Sequence, residues 1–393
     1  MNDTKIINKT DRAAMTTMFF FSSSATIVPI SLVKITEDLS ISLTQIGILN
    51  FIASIELFAA LLFSCYIASR LGKIKVIRSG LLIVASGLFF ASLSQNFWHI
   101  LIVFMFTGLG SGLLEGVITP MVEDLHPNDQ GKKMNLVHAF WPIGVCATLL
   151  IVGELLSRGV SWRYIFPGLA LLVTGVLFLY PSSKKIILPP SRADFSHSVE
   201  IFSKPRFWFL GMTLFFSGGA EGGFAFWTAS YIQLHFNTLP RAGGFGAAFF
   251  AVGMVLGRFL TSRLAYKFKL KNLLFLSALL AFLLSLLFFI IQPTLYILYA
   301  FMLVMGLTIA SLWPSIQSYS SSVLKVDPTM LMIFIACFGT TGYSFATLFM
   351  GIIGDHIGLE NSFIIAPIYL AMLILFLTFE SKVPSSSYKV KHT

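Results

Sequence analysis

Charge is what this sequence has least of. Only 11% of its 393 residues are Asp, Glu, Lys or Arg, against about 25% in soluble globular chains, and that excludes a water-soluble fold. Cysteine is nearly as scarce. Cys65, Cys146 and Cys337 each stand inside an apolar run, which leaves neither a disulfide framework nor a Cys-x-x-Cys metal spacing. No Walker A sequence, His-Glu-x-x-His or other His cluster is present, so the expectation is no metal, no cofactor and no catalytic residue, in a protein that is not an enzyme.

What is abundant is apolar. Hydrophobic residues make up 56% of the chain, Phe alone contributes 40, and the mean hydropathy is +0.84. A membrane-spanning helix needs about 20 apolar residues at 1.5 Å each. By that ruler twelve spans fall near 15–35, 43–68, 74–94, 98–122, 133–156, 161–181, 206–234, 241–265, 270–291, 294–318, 329–353 and 361–380. The first follows a polar head and has no small-residue cleavage site, so it is read as an uncleaved span.

Placing the N-terminus inside gathers nearly all of the 27 Lys and Arg into inside loops; Lys34, Arg158, Arg163 and Arg241 fall outside and Arg258 within a helix. Cytoplasmic loops retain basic residues, so both termini are expected to be cytoplasmic in a multi-pass plasma membrane protein, the bacterial inner membrane being the expected location. The net charge of +10 then belongs beside anionic lipid and gives no support for nucleic-acid binding.

The longest connection, with PPSRAD at its centre, divides the chain into a six-helix bundle at 1–181, a cytoplasmic linker at 182–205 and a second bundle at 206–393. The halves also repeat. Ser69-Arg70-Leu71 is echoed by Ser262-Arg263-Leu264, Gly108-Leu109 by Gly306-Leu307, FFSSSA at 20–25 by FFSGGA at 215–220, and Phe140, Gly144 and Gly153 by Phe338, Gly342 and Gly351. The spacing is nearly constant and the order preserved, as in secondary transporters built from two parallel repeats. The fold class is therefore an all-α membrane protein of twelve helices in two pseudo-symmetric bundles.

An ionisable group in mid-span costs roughly 2.5–3.5 kcal/mol on insertion scales, so each one calls for a role. Glu115 and His138 stand in GLGSGLLEGVITPMVEDLHPNDQGKKMNLVHAFWPIG, from Gly108 to Gly144. By helical rise they lie about 13 Å and about 10 Å from the inner ends of two consecutive antiparallel helices, hence at similar depth. Gly108, Gly112, Glu115 and Thr119 share one face, and Asn135, His138 and Pro142 share another. The pair reads either as a proton-coupling carboxylate and imidazole or as a bond that locks two helices together.

Glu221 sits midway along FFSGGAEGGFAFWTASY, with Ser217, Phe224, Thr228 and Tyr231 on its face and Trp227 beside it. A carboxylate with aromatic rings in a glycine-rich stretch suits polyol binding; helix packing with an incidental acid is the alternative. Trp141 and Trp313 each precede a proline that frees a backbone carbonyl, and Gln317 follows one turn after Trp313. Glu56 has no polar neighbour at helical spacing, and Arg258 reads as snorkelling or as a gate ion pair.

The twelve spans, the central linker and ASRLGKIK after the second helix resemble the major facilitator superfamily, whose loop signature matches Arg70, Gly72 and Lys73 but has an acid where this chain has Ser69. Within it the chain most resembles the fucose, galactose and glucose to proton symporter group. The likeness is carried by Glu115 after GLGSGLL, by NLVHAFWPIG, by GAEGGFAFW with Tyr231 following, and by GMVLGR. The resemblance implies Glu115 as the carboxylate that links proton and sugar, although the acid of the fucose permease's first helix is replaced by Ser22, Ser23, Ser24 and Thr26.

The expectation is alternating-access uptake of a sugar-like polar solute with protons by a monomer in the lipid bilayer. Glu115 and His138 are assigned to coupling. Glu221, Trp227, Asn135, Tyr231, Trp141, Trp313 and Gln317 are assigned to substrate, and Glu56, Arg70, Gly72, Lys73 and Arg258 to gating or structure. A proton-coupled exporter of a drug, metabolite or amphiphile and a non-transporting sensor are the alternatives.

Overall fold

Short polar residues set the starts of several helices. Ser42 and Gln45 form a reciprocal capping box ahead of α2 (Leu43–Leu71), and Asn96 accepts the His99 amide at 3.0 Å ahead of α4 (Phe97–Leu125), so otherwise orphaned N–H groups are satisfied where each apolar run begins. The computed structural model describes residues 2–126, 132–181, 198–291, 293–324, 326 and 328–382. The remaining helices are α1 (Asn2–Leu39), α3 (Lys73–Ala91), α5 (Lys132–Ser157), α6 (Trp162–Val176), α7 (Ser198–Phe202), α8 (Pro205–His235), α9 (Pro240–Leu264), α10 (Leu270–Ile291), α11 (Leu295–Ile309), α12 (Leu312–Leu324), α13 (Pro328–Ile357), α14 (Leu359–Ser362) and α15 (Ile365–Phe379). Among the described residues the protein is wholly helical.

Among the described residues ten helical stretches are long and apolar enough to cross a membrane, with α11 and α12 counted as one and α14 and α15 as another. The other two expected spans fall short of that measure. Helix α6 is apolar but has 15 residues, and α8 runs for 31 residues with serine, glycines and Glu221 diluting its centre.

The chain divides into two compact units, residues 1–193 with 227–248 and residues 194–226 with 249–393. Most of the linker expected at 182–205 lies outside the described residues; its end forms α7 and the start of α8.

Within the first unit α1 packs on α5, α2 on α4, and α3 on α4 and α6. Helices in lipid gain little from hydrophobic exclusion and associate where small residues allow close approach. Gly144 of α5 lies against the Phe19 carbonyl of α1, and Gly108 of α4 against the Ala53 carbonyl of α2. The second unit makes the same two contacts with the matched glycines, Gly342 of α13 on the Phe215 carbonyl of α8 and Gly306 of α11 on the Phe250 carbonyl of α9. The sequence repeat is thus a repeat of helix-pair contacts. A Cβ at any of the four positions collides with backbone, so Gly144→Val and Gly342→Val should each lower stability by about 1–3 kcal/mol or more, as overpacked cores do. The check is the thermal unfolding midpoint of each variant in one detergent.

Charges tie helix ends together in each unit. In the first, Asp11 is 3% exposed and takes His126 Nε2 at 2.8 Å and Lys133 Nζ at 3.1 Å. Nearby, Tyr180 bonds Thr17 at 2.8 Å, and Arg78 donates to the Tyr180 carbonyl. In the second, Glu380 is fully buried and receives Arg206 Nε, Lys271 Nζ at 3.1 Å and the Tyr319 hydroxyl at 3.1 Å. A buried carboxylate is tolerated when its oxygens are met by cations and donors in this way.

Candidate functional site

Two polar clusters occupy mid-helix positions, one in each unit. In the first, α4 turns Gly108, Gly112 and Gly116 to α2 and Gly110 to the Gly80 carbonyl of α3. The sector left over carries Glu115 and Thr119. Thr119 Oγ1 lies 3.0 Å from His138 Nε2 on α5, so the imidazole meets α4 one turn from Glu115, about 6 Å by rise. Pro142 has no N–H for the His138 carbonyl, so the helix ladder of α5 is interrupted at the same level. Glu115 is exposed, although Leu113, Leu114, Val117 and Ile118 around it are buried. Trp141 packs edge-on against Phe21, with ring centroids 4.8 Å apart. The Asn135 side chain lies outside the described residues.

The second cluster is built on α8. Ser217 and Glu221 are one turn apart, and Ser217 Oγ and Glu221 Oε2 are both buried with no hydrogen-bond partner. Buried polar atoms are nearly always paired, so two orphans on one face mark a place where a donor belongs. Glycines explain why the acid fits. Gly218 lies against Gly339, and Gly222 against the ring of Tyr343, both on α13. Arg258 of α9 lies close enough for its charge to act on Glu221, and Glu221 acts in turn on Tyr343.

Arg258 has a second partner, which the sequence explains. Pro314 cannot donate to the carbonyl four residues earlier, that of Ala310. The helix breaks there between α11 and α12, and Arg258 Nε donates to the Ala310 carbonyl at 3.4 Å. Trp313, next to that proline, lays its ring against Gly339. Gln317 is half-buried one turn on. A guanidinium, a carboxylate oxygen without a hydrogen-bond partner and a broken helix thus share one neighbourhood.

Other expected site residues are placed differently. Trp227 is fully buried and Tyr231 is 3% exposed, its ring stacked on His235. Glu56 is half-buried on α2. Around the loop signature, Gly72 has φ +85°, a left-handed conformation that favours glycine. Arg70 is exposed over the Tyr66 ring. Lys73 is buried and paired with Asp124 at the end of α4, while Ser69 bonds its own helix at the Tyr66 carbonyl. The acid paired with Lys73 thus comes from α4 and not from position 69. Asp124, Tyr343 and Glu380 were missing from the sequence expectation, which had placed Thr119 on the face of Glu115; for Tyr343 the only signal was its place beside the repeated Gly342.

With this geometry in hand, comparisons place the chain. A family model described as Major Facilitator Superfamily matches residues 13–325 and 230–392. An uncharacterized transporter of Buchnera aphidicola subsp. Schizaphis graminum is 33% identical over 146 residues, 36% of this chain and 35% of that protein, so the match spans about a third of the relative's length. A protein TsgA homolog of Yersinia pestis (strain Pestoides F) is 24% identical over 281 residues, 69% of each chain. The crystal structure of a D-xylose-proton symporter superposes with a TM-score of 0.78 at 14% identity, covering 97% of this chain and 98% of that one; at that identity the likeness is one of fold.

Proposed function

Because the chain belongs to the Major Facilitator Superfamily, we propose that it takes up a neutral, sugar-like solute together with protons by alternating access, with both termini on the cytoplasmic side of a bacterial inner membrane. The observation that carries the reading is the Glu221 carboxylate, buried at Oε2 without a partner beside the equally unpartnered Ser217 hydroxyl. A carboxylate oxygen accepts a solute hydroxyl, and Ser217 can donate to or accept from a second. Glu115 and His138 carry the proton. The solute class of the D-xylose-proton symporter agrees with this chemistry.

The test is counterflow in proteoliposomes with a panel of labelled hexoses, pentoses and polyols. Exchange of at least one of them, and its accumulation when the outside is made acidic, is the expected result. No exchange with any of them, while an amphiphile is pumped against a proton gradient, would replace uptake with export. A hydrogen bond to a charged partner is worth about 1.5–3 kcal/mol, so Glu221→Gln should weaken solute affinity roughly 10- to 100-fold. Isothermal titration with the transported solute reads that loss directly, and unchanged affinity would remove Glu221 from the binding site.

A further inference from the structure

The first turns of α1 carry a feature that solute transport does not use. Lys5, Asn8, Lys9 and Arg12 are exposed at helical spacing on one face, and with Leu179 they line a cavity of about 500 Å³. Asp11, within the same turns, faces away and is held by His126 and Lys133. The opposite face of these turns is packed into the unit through Thr10, Ala13 and Ala14, all fully buried. The cationic face is therefore fixed in place, and its three charges are not neutralised by that carboxylate. Leu179 and the neighbouring Phe178 are exposed apolar residues at the end of the α6 span. The cavity thus joins a cationic wall to an exposed apolar surface.

We propose that this cavity binds the phosphate headgroup of an anionic phospholipid, with Lys5, Lys9 and Arg12 meeting the phosphate, Asn8 donating from its amide, and Leu179 and Phe178 receiving the first part of the acyl chains. Basic pockets beside membrane spans hold headgroups through charge, at about fivefold in affinity per cation close to the surface. The bound lipid would fix the height of α1 in the bilayer, since α1 at 38 residues is longer than one crossing needs.

The experiment is lipid retention by the full-length protein, purified from micelles holding equal phosphatidylcholine and phosphatidylglycerol, with bound lipid counted by native mass spectrometry. About one phosphatidylglycerol per chain is expected. Lys5→Gln, Lys9→Gln and Arg12→Gln combined should weaken its retention by roughly 100- to 200-fold, while Lys75→Gln, Lys267→Gln and Lys269→Gln combined, the same loss of charge at other exposed lysines, should leave it unchanged. Should the triple variant fail to fold, the single exposed change Asn8→Asp, which puts an acid in the cavity, should also lower retention. Equal loss in the two triple variants would reduce the effect to net charge, and no loss in the cavity variants would remove the site; either overturns the proposal. Full displacement of the lipid by millimolar inorganic phosphate would make the occupant a free anion and overturn the assignment to lipid.

Discussion

Vesicles that carry Glu115→Gln are expected to exchange labelled solute across the membrane but not to accumulate it when the outside is acidified. A gradient of about one pH unit is worth about 1.4 kcal/mol and supports up to roughly tenfold accumulation at one proton per solute; the variant is expected to stop at an even distribution. The reasoning starts from shape. Glutamine keeps the size of the side chain and its carbonyl oxygen, so the α4 surface next to Thr119 and His138 is preserved, and with it the bond from Thr119 to the imidazole at 3.0 Å. What is lost is the site that gains and releases a proton. Thr119→Val provides a graded companion, because it unties His138 while leaving the acid, and should slow uphill uptake without abolishing it. Accumulation by Glu115→Gln equal to that of the parent would take Glu115 out of coupling.

Removing the Glu380 side chain has the largest expected effect on stability. Glu380→Ala leaves Arg206 and Lys271 facing each other beside Tyr319 with no acid between them. Breaking a fully buried pair costs about 3–5 kcal/mol. Arg206 and Lys271 keep 21% and 31% of their side-chain exposure, so water recovers part of that, and a loss of about 2–4 kcal/mol is expected. Glu380→Gln, which still accepts from Tyr319, should lose less. Unfolding followed in mixed micelles separates the variants, and a midpoint for Glu380→Ala equal to that of the parent would show that the cluster does not hold the helix ends.

The spans were legible because crossing a membrane imposes a length and a hydropathy, and both are written in consecutive residues. The two mid-helix acids were legible for the same reason, as expensive exceptions. Their surroundings were not, because partners come from other helices. Nothing adjacent to Arg258 points to Ala310; the link needs both the proline at 314 and the packing of α9 on α11 through Gly306. On α8 the residues Phe224, Trp227, Thr228 and Tyr231 are all buried, so spacing along the chain does not by itself separate lining from core. A helix covered on every side has no face that periodicity can pick out. Lys73 and Asp124 were each visible, but their pairing requires the start of α3 to meet the end of α4.

The two knots of charge also bear on how the chain avoids folding into the wrong half of itself. Matching FFSSSA to FFSGGA sets Asp11 of α1 opposite Arg206 of α8, so equivalent places in the two units carry opposite signs. Each is met by its own complement, His126 and Lys133 for the acid and Glu380 for the arginine. If α1 took the place of α8 during insertion, Asp11 would lie beside Glu380; if α8 took the place of α1, Arg206 would face Lys133. Like charges close together at a helix end are penalised in both exchanges. A sequence whose halves share the same glycine contacts is open to confusing one half with the other, and the reversed sign at this one position tells them apart.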